Sequence, residues 1–381
     1  MDFKFTEEQE AMREMAKNFA EKKILPSLEE DEKEHRFRRE IVKEMARLGF
    51  FGCIAPEKYG GNESGYLAAS LMTEEIARIS PSWGLPFNLQ MNSIQSVLLA
   101  FATEEQREKW IPKLINAELL GCFAITEPNT GSDVASMKST AQEVEDGFIL
   151  NGTKMWISGV PVADLGIVYV YTDKAAKHRG MSAFIVDMHL PGVTQKAIET
   201  KLGLYCAPTG EIVFDNVKLP KDSLVGQKGD GFKICMSMLD NTRLSSAARA
   251  VGVARACLEH SVRYANEREQ FGQPIANFQM IQEQIAEMYV EEEAARLLVY
   301  RAACNRDEGK RNTIEVSCAK YFAAEVAVRA ANTAVKIFGS YGFSTEYPVE
   351  RFYRDAKSYQ IVEGTSNIQK MIIARNALGL K

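Results

Sequence analysis

The hydrophobic period of this chain switches twice along its 381 residues, and the two switches constrain the fold more tightly than any single motif. Residues 1–118 read as helical. Thr6 with Gln9, and Thr103 with Gln106, have the spacing of capping boxes, and the stretch from Leu85 to Ala102 is apolar nearly all round, as a buried helix requires. Between 119 and 230 the pattern becomes short alternating or β-branched runs, such as Gly166-Ile167-Val168-Tyr169-Val170-Tyr171, Ser182-Ala183-Phe184-Ile185-Val186 and Glu211-Ile212-Val213-Phe214. Turn signals at Asp146-Gly147, Asn151-Gly152, Pro191-Gly192 and Asn216 separate them. From 231 to 381 the helical period returns, with Ile281, Ile285, Met288, Ala295 and Val299 on one face and further long stretches near 243–268, 315–339 and 350–378. The expected fold is α+β and multidomain: an N-terminal α-helical domain (1–118), a middle antiparallel β-barrel domain (119–230) and a C-terminal four-helix bundle (231–381).

Composition removes several classes of function. A net charge of −5 gives no basic field for nucleic acid, and no apolar run is long enough for a membrane span. The seven cysteines are odd in number and never spaced C-x-x-C, which fits free thiols in a cytoplasmic protein better than disulfides or zinc. The four histidines lie far apart, so they read as surface residues and no metal site is expected. Gly226 and Gly231 imitate a phosphate-binding loop until Phe232 breaks the pattern, and neither a nucleophile elbow nor a dinucleotide fingerprint occurs.

Four short motifs carry chemistry. In Tyr359-Gln360-Ile361-Val362-Glu363-Gly364-Thr365 a carboxylate follows two apolar residues and precedes a glycine. Burial there would raise the pKa of Glu363 toward that of a general base, and Gly364 would let a substrate approach the backbone; a helix-end glutamate has the same local pattern. The loop Thr126-Glu127-Pro128-Asn129-Thr130-Gly131-Ser132-Asp133 follows an apolar strand and offers hydroxyls and N–H groups to a polar ring edge or phosphate, or is an ordinary hydroxyl-rich turn. Trp156, within Lys154-Met155-Trp156-Ile157-Ser158, stacks on a planar cofactor or lies in the core. Arg268-Glu269-Gln270-Phe271-Gly272 joins a cation and an aromatic that bind pyrophosphate and adenine, or cap a helix.

In this order and spacing the four motifs resemble the acyl-CoA dehydrogenase family from end to end of the chain. The resemblance implies FAD as cofactor, a homotetramer, and an electron-transfer flavoprotein as electron acceptor. It places Phe123, Ile125 and Thr126 at the flavin edge, Trp156 and Ile157 against the ring and Ser158 near its N5 atom. Arg268, Phe271 and Gln279 would reach the FAD of a neighbouring subunit, with Lys336 and Ser340 standing where other members carry glutamine and glycine. Serine at 340 would be strained at positive φ. Thr365 and Asn367 would touch the cofactor near the base. Ser132, the Lys177-His178-Arg179 loop, Asp240 and Arg243 would face the CoA portion.

By the same resemblance Glu363 is the α-proton acceptor, the β-hydride passes to flavin N5, and Thr242 occupies the position where other members place the base. The acyl pocket would draw on residues 83–102 with Val362 and Gly364. Valine beside the base widens the cavity for an alicyclic, short or branched acyl group, and the general appearance is closest to anaerobic glutaryl-CoA and cyclohexanecarboxyl-CoA dehydrogenases. Glutaryl-type members need an arginine where this chain has Gly84, so an uncharged acyl chain is expected. Operation as an enoyl-CoA reductase or oxidase, glutaryl-type activity, and a non-catalytic CoA- or nucleic-acid-binding relative are the alternatives.

Overall fold

The computed structural model describes residues 4–380. The N-terminal part is helical: α1 (Glu7–Phe19), α2 (Leu28–Lys33), α3 (Arg39–Arg47), α4 (Gly65–Ile79), α5 (Ser96–Phe101) and α6 (Glu104–Ile115). Both capping boxes form, at Thr6 and Thr103. The Leu85–Ala102 stretch is buried, but it is not one α-helix. Phe87–Gln95 winds as a π-helix before α5 begins, and the buried turns carry Asn88, Gln90, Asn92, Ser93 and Gln95 among the apolar residues. Widened turns of this kind concentrate at functional sites.

The middle part forms one sheet from β1 (Gly121–Ala124), β2 (Thr140–Val144), β3 (Gly147–Ser158), β4 (Leu165–Tyr171), β5 (Met181–Asp187), β6 (Val193–Ala197), β7 (Thr209–Pro220) and β8 (Leu224–Val225). The strand order is β6-β7-β3-β2-β4-β5-β8, with β1 parallel to β4. The expected barrel does not close: β6 and β8 are unpaired edges, and β2 meets β4 at the single register pair Thr140↔Tyr171. The sheet therefore folds as two halves over a shared core that includes Phe148, Val168, Phe184 and Phe214. Two expected turns are also corrected. Asn151-Gly152 and Asn216 lie inside β3 and β7, where the Asn216 N–H donates to Asn151 Oδ1 at 2.8 Å, so a side-chain oxygen of β3 carries the pair through a bulge.

Three long helices, α7 (Gly231–Glu267), α8 (Gln279–Asp307) and α9 (Thr313–Phe338), pack on one another around an alanine-rich core. A short hairpin, β9 (Glu269–Gln270) and β10 (Gln273–Pro274), joins α7 to α8. The expected fourth long helix is broken into α10 (Val349–Ala356) and α11 (Ser366–Ala377). The break has a backbone cause: Glu363 has φ +57° and Gly364 φ +86°, and Thr365 then caps α11 by accepting from Ile368 N–H. The fourth stretch is interrupted at the candidate base. No helix among the described residues is long and apolar enough to cross a membrane.

Candidate active site

Glu363 sits in the left-handed turn between α10 and α11, a conformation that a non-glycine residue adopts only when its surroundings enforce it. The enforcement is visible in the backbone contacts. The Glu363 carbonyl accepts from Arg243 Nε and Gln369 Nε2, each at 3.2 Å, and the Gly364 carbonyl accepts from Lys320 Nζ at 2.7 Å. Burial pushes the Lys320 ammonium down to about 8, with the Glu363 charge acting against that shift. Gly364 is needed here for its positive φ and for packing, since a Cβ would come within 2.8 Å of Gln369 Nε2.

The carboxylate itself is held from two distant elements. Asn88 Nδ2, on the π-helix, donates to Oε1 at 2.9 Å, and Thr242 Oγ1, on α7, donates to Oε2 at 2.6 Å. The apolar run before Glu363 does not enclose it: Ile361 is exposed and Val362 half-buried. Enclosure comes from the polar pair instead. Thr242, the alternative base position, serves as a hydrogen-bond donor to Glu363. Asp240 and Arg243 are less open than expected for a CoA surface. Arg243 is buried, pairs with Asp240 at 2.9 Å and locks the Glu363 turn, while Asp240 accepts from Thr313 on α9.

The Thr126 and Trp156 motifs lie side by side. The Met155 N–H donates to the Thr126 carbonyl at 2.9 Å, and between them runs a buried ion pair, Lys154 Nζ to Glu127 Oε1 at 3.0 Å. Burial opposes the charge on both members. Lys154, Ser139 and the Lys138 and Ser139 N–H groups nevertheless hold the Glu127 carboxyl below its ordinary range. Trp156 is not a core residue: it is 56% exposed, at φ +62°, where the register of β3 slips. Ile125 and Ile157 are buried behind it, Phe123, Thr126 and Ser158 are half-buried, and Gly131 and Ser132 are exposed, with open space around Gly131. An indole presented to solvent beside a hydroxyl and an open glycine loop is a donor set that fits a flavin.

Other expected contacts are not brought to this place. Arg268 ends α7, roughly 39 Å along the helix axis from Thr242 at ~1.5 Å per residue. Its guanidinium lies over Tyr341, and Phe271 projects from the hairpin turn 93% exposed. Gln279, Lys336, Ser340 and Asn367 are exposed, and so is His178, which lies edge-on to Phe232. Ser340 carries no positive φ; Gly339, at φ +61°, takes the turn, so the expected strain is absent. His260 departs from the surface expectation, since burial lowers its pKa to about 4. Cys53, Cys122, Cys206, Cys235 and Cys257 are buried free thiols, and no cluster of metal-ligating side chains occurs among the described residues.

Asn88, Lys320, Gln369 and the Glu127–Lys154 pair escaped the sequence reading. Polar residues inside the otherwise apolar 85–102 run were the available signal for Asn88.

Family models for the acyl-CoA dehydrogenase N-terminal, middle and C-terminal domains match residues 6–118, 122–217 and 229–378. The chain is 48% identical to a glutaryl-CoA dehydrogenase of Desulfococcus multivorans, over 100% of this chain and 99% of that one. A solved glutaryl-coenzyme A dehydrogenase–glutaryl-CoA complex superposes with TM-score 0.98 at 48% identity, covering 100% and 98% of the two chains. Butyryl-CoA dehydrogenase from Megasphaera elsdenii superposes with TM-score 0.97 at 39% identity, covering 99% and 100%. The chain therefore belongs to the acyl-CoA dehydrogenase family, flavoprotein oxidoreductases that use FAD and act on acyl-CoA thioesters.

Proposed function

We propose that the protein catalyses α,β-dehydrogenation of an acyl-CoA thioester with Glu363 as the α-proton acceptor. The observation that carries this reading is the Glu363 carboxylate held by Asn88 and Thr242 in a left-handed turn. Two donors orient the carboxylate while leaving it lone pairs for the incoming proton. The Glu363 N–H donates to no other described residue, which leaves it for the thioester carbonyl, where charge develops as the α-proton departs. The α-proton goes to Glu363, and the β-hydrogen leaves with its electron pair as the Cα–Cβ double bond forms. When bound, FAD supplies the two-electron acceptor for that hydride. Thr126, Trp156 and Ser158 would hold the ring, Ser132 and His178 would meet the CoA portion, and Asp240 and Arg243 would brace the turn that carries the base.

The separation of Arg268, Phe271 and Gln279 from Glu363 favours their serving the FAD of a neighbouring subunit. The exposed Met280, Tyr289 and Val290 on α8 give the same face an apolar surface for a homotetramer. Lys336, Ser340, Thr365 and Asn367 are assigned to the cofactor's outer contacts on the same basis. In this reading 1–118, 119–230 and 231–381 act as three units, the last a four-helix bundle whose fourth member is the α10–α11 pair. An electron-transfer flavoprotein takes the reducing equivalents, and the buried free thiols favour a cytoplasmic setting.

The test is Glu363→Gln in the FAD-loaded enzyme. It should bind acyl-CoA, seen as a perturbed flavin spectrum, yet lose about 10³-fold or more in the rate of flavin bleaching. Bleaching at the wild-type rate would remove Glu363 from the mechanism.

A further inference from the structure

Thr242, Ser246 and Arg249 follow one another on α7 at steps of four and three, which puts them on one face of the helix. Thr242 binds the Glu363 carboxylate, and the Ser246 hydroxyl is buried without a partner. Arg249 is 2% exposed, and its Nε is buried with no acceptor. No hydrogen bond or ion pair to a described residue engages its guanidinium. Its guanidinium carbon lies 5.6 Å from the centroid of the Tyr359 ring, and the Tyr359 hydroxyl is likewise buried without a partner. Asp355, a buried carboxylate that acts electrostatically on Tyr359, is not paired with Arg249. A buried guanidinium with no anion is among the costliest arrangements in a protein interior, so an anion from outside the chain is the natural completion.

The opposite wall supports this. A Cβ at Gly84 would lie 2.9 Å from both Cγ and Cδ of Arg249, so glycine at 84 is what makes room for the arginine. The expectation of an uncharged acyl chain rested on Gly84 lacking a cation, and the structure supplies one to that place from α7. Gly84 and Asn88 from one strand of chain, Thr242 and Arg249 from α7, and Tyr359 and Glu363 from the α10–α11 connection thus form two successive levels, the base below and the cation beyond. Seven residues of α7 span roughly 10 Å, and helical side chains lean back toward the N-terminus, which brings the guanidinium nearer the base than that.

We propose that Arg249 determines specificity at the far end of the acyl chain by binding the terminal carboxylate of a short dicarboxylic acyl-CoA, roughly four to six carbons long by the spacing above. This rests on the dehydrogenase reading with Glu363 as base. The experiment compares kcat/KM for glutaryl-CoA and pentanoyl-CoA, equal in carbon number, in the FAD-loaded wild type, Arg249→Gln and Arg249→Lys. The wild type should prefer glutaryl-CoA by about 100-fold or more. Arg249→Gln should lose that preference, mainly through KM for glutaryl-CoA, while pentanoyl-CoA is handled as well or better; Arg249→Lys should restore part of it.

A wild type that favours pentanoyl-CoA, or an Arg249→Gln enzyme that loses both substrates equally, overturns the proposal. Should Arg249→Gln fail to fold, the wild-type preference and the Lys variant decide. If neither thioester bleaches the flavin of the wild type, while Glu363→Gln and the wild type behave alike, the dehydrogenase reading fails and the assignment of Arg249 falls with it.

Discussion

Helix α7 carries two arginines six residues apart, the buried Arg249 and the half-buried Arg255, in opposite surroundings. Arg255 meets Glu75 at 2.7 Å, Glu259 at 2.9 Å and Glu74 at 3.2 Å, in a network that also takes in Arg13, Arg78 and Arg296. The network joins α1, α4, α7 and α8, and every cation in it is answered by a carboxylate of the same chain. Among the described residues Arg249 has an aromatic ring and no carboxylate partner. A cation with a full set of internal partners serves the fold and asks nothing of a ligand. One that the fold leaves unanswered, two turns along α7 from the residue that binds Glu363, is available to a ligand, at a cost to stability that the rest of the structure absorbs.

This contrast can be broken at several points. Arg255→Met leaves Glu74 and Glu75 buried with fewer partners and should destabilise the fold by about 3 kcal/mol, read as a lowered thermal midpoint, with the glutaryl/pentanoyl ratio unchanged. A changed ratio would mean that the two arginines do not act separately.

His260, also on α7, sharpens the structural half by pH. Burial first, then Arg263 and Arg351, lower its pKa from 6.5 to about 4. The group is neutral in the fold where the unfolded chain is already protonated. Its stabilising contribution is thus complete above about pH 6.5 and lost as pH falls toward 4. His260→Gln should remove on the order of 2 kcal/mol of that acid sensitivity; parallel stability curves for the two proteins would dismiss it.

Thr242→Val tests the catalytic half more gently. One of two donors to the Glu363 carboxylate disappears while the shape is kept, and kcat should fall about tenfold, roughly 1.4 kcal/mol, with little change in thermal midpoint. An unchanged kcat would show that Asn88 alone suffices to orient the Glu363 carboxylate. The smallest effect is expected at Lys58, whose ion pair with Glu104 lies on the surface: Lys58→Ala should leave the thermal midpoint nearly where it is and the substrate ratio untouched, and a clear drop in the midpoint would break this expectation.

The sequence was informative wherever the signal was local. Both capping boxes, the strands around 166–171 and 182–186, and the helices α8 and α9 form where the pattern places them, while α7 begins at Gly231, twelve residues before the expected start. Local signals misled where a distant partner overrode them. Asn151-Gly152 and Asn216 look like turns, yet the Asn151 side chain accepts the Asn216 N–H that the bulge leaves without a ladder partner. The fourth helical stretch keeps its period through 350–378, yet the Lys320, Arg243 and Gln369 contacts hold a left-handed turn in its middle. The sheet's failure to close was equally out of reach, because closure depends on which edges meet.

What the sequence by itself determined is the order of helical, strand and helical parts, the motifs that place the chain in its family, and the identity of Glu363 as the residue to test. Periodicity, caps and short motifs are properties of neighbours along the chain, so they survive in one dimension. Only the tertiary structure decided what surrounds that residue. Asn88 and Thr242, 275 and 121 positions away, take the two oxygens of the carboxylate. A glycine at 84 yields its space to Arg249 from another helix. Contacts of this kind are set by how helices pack, and a charge left without a partner becomes visible only after every possible partner in the chain has been placed.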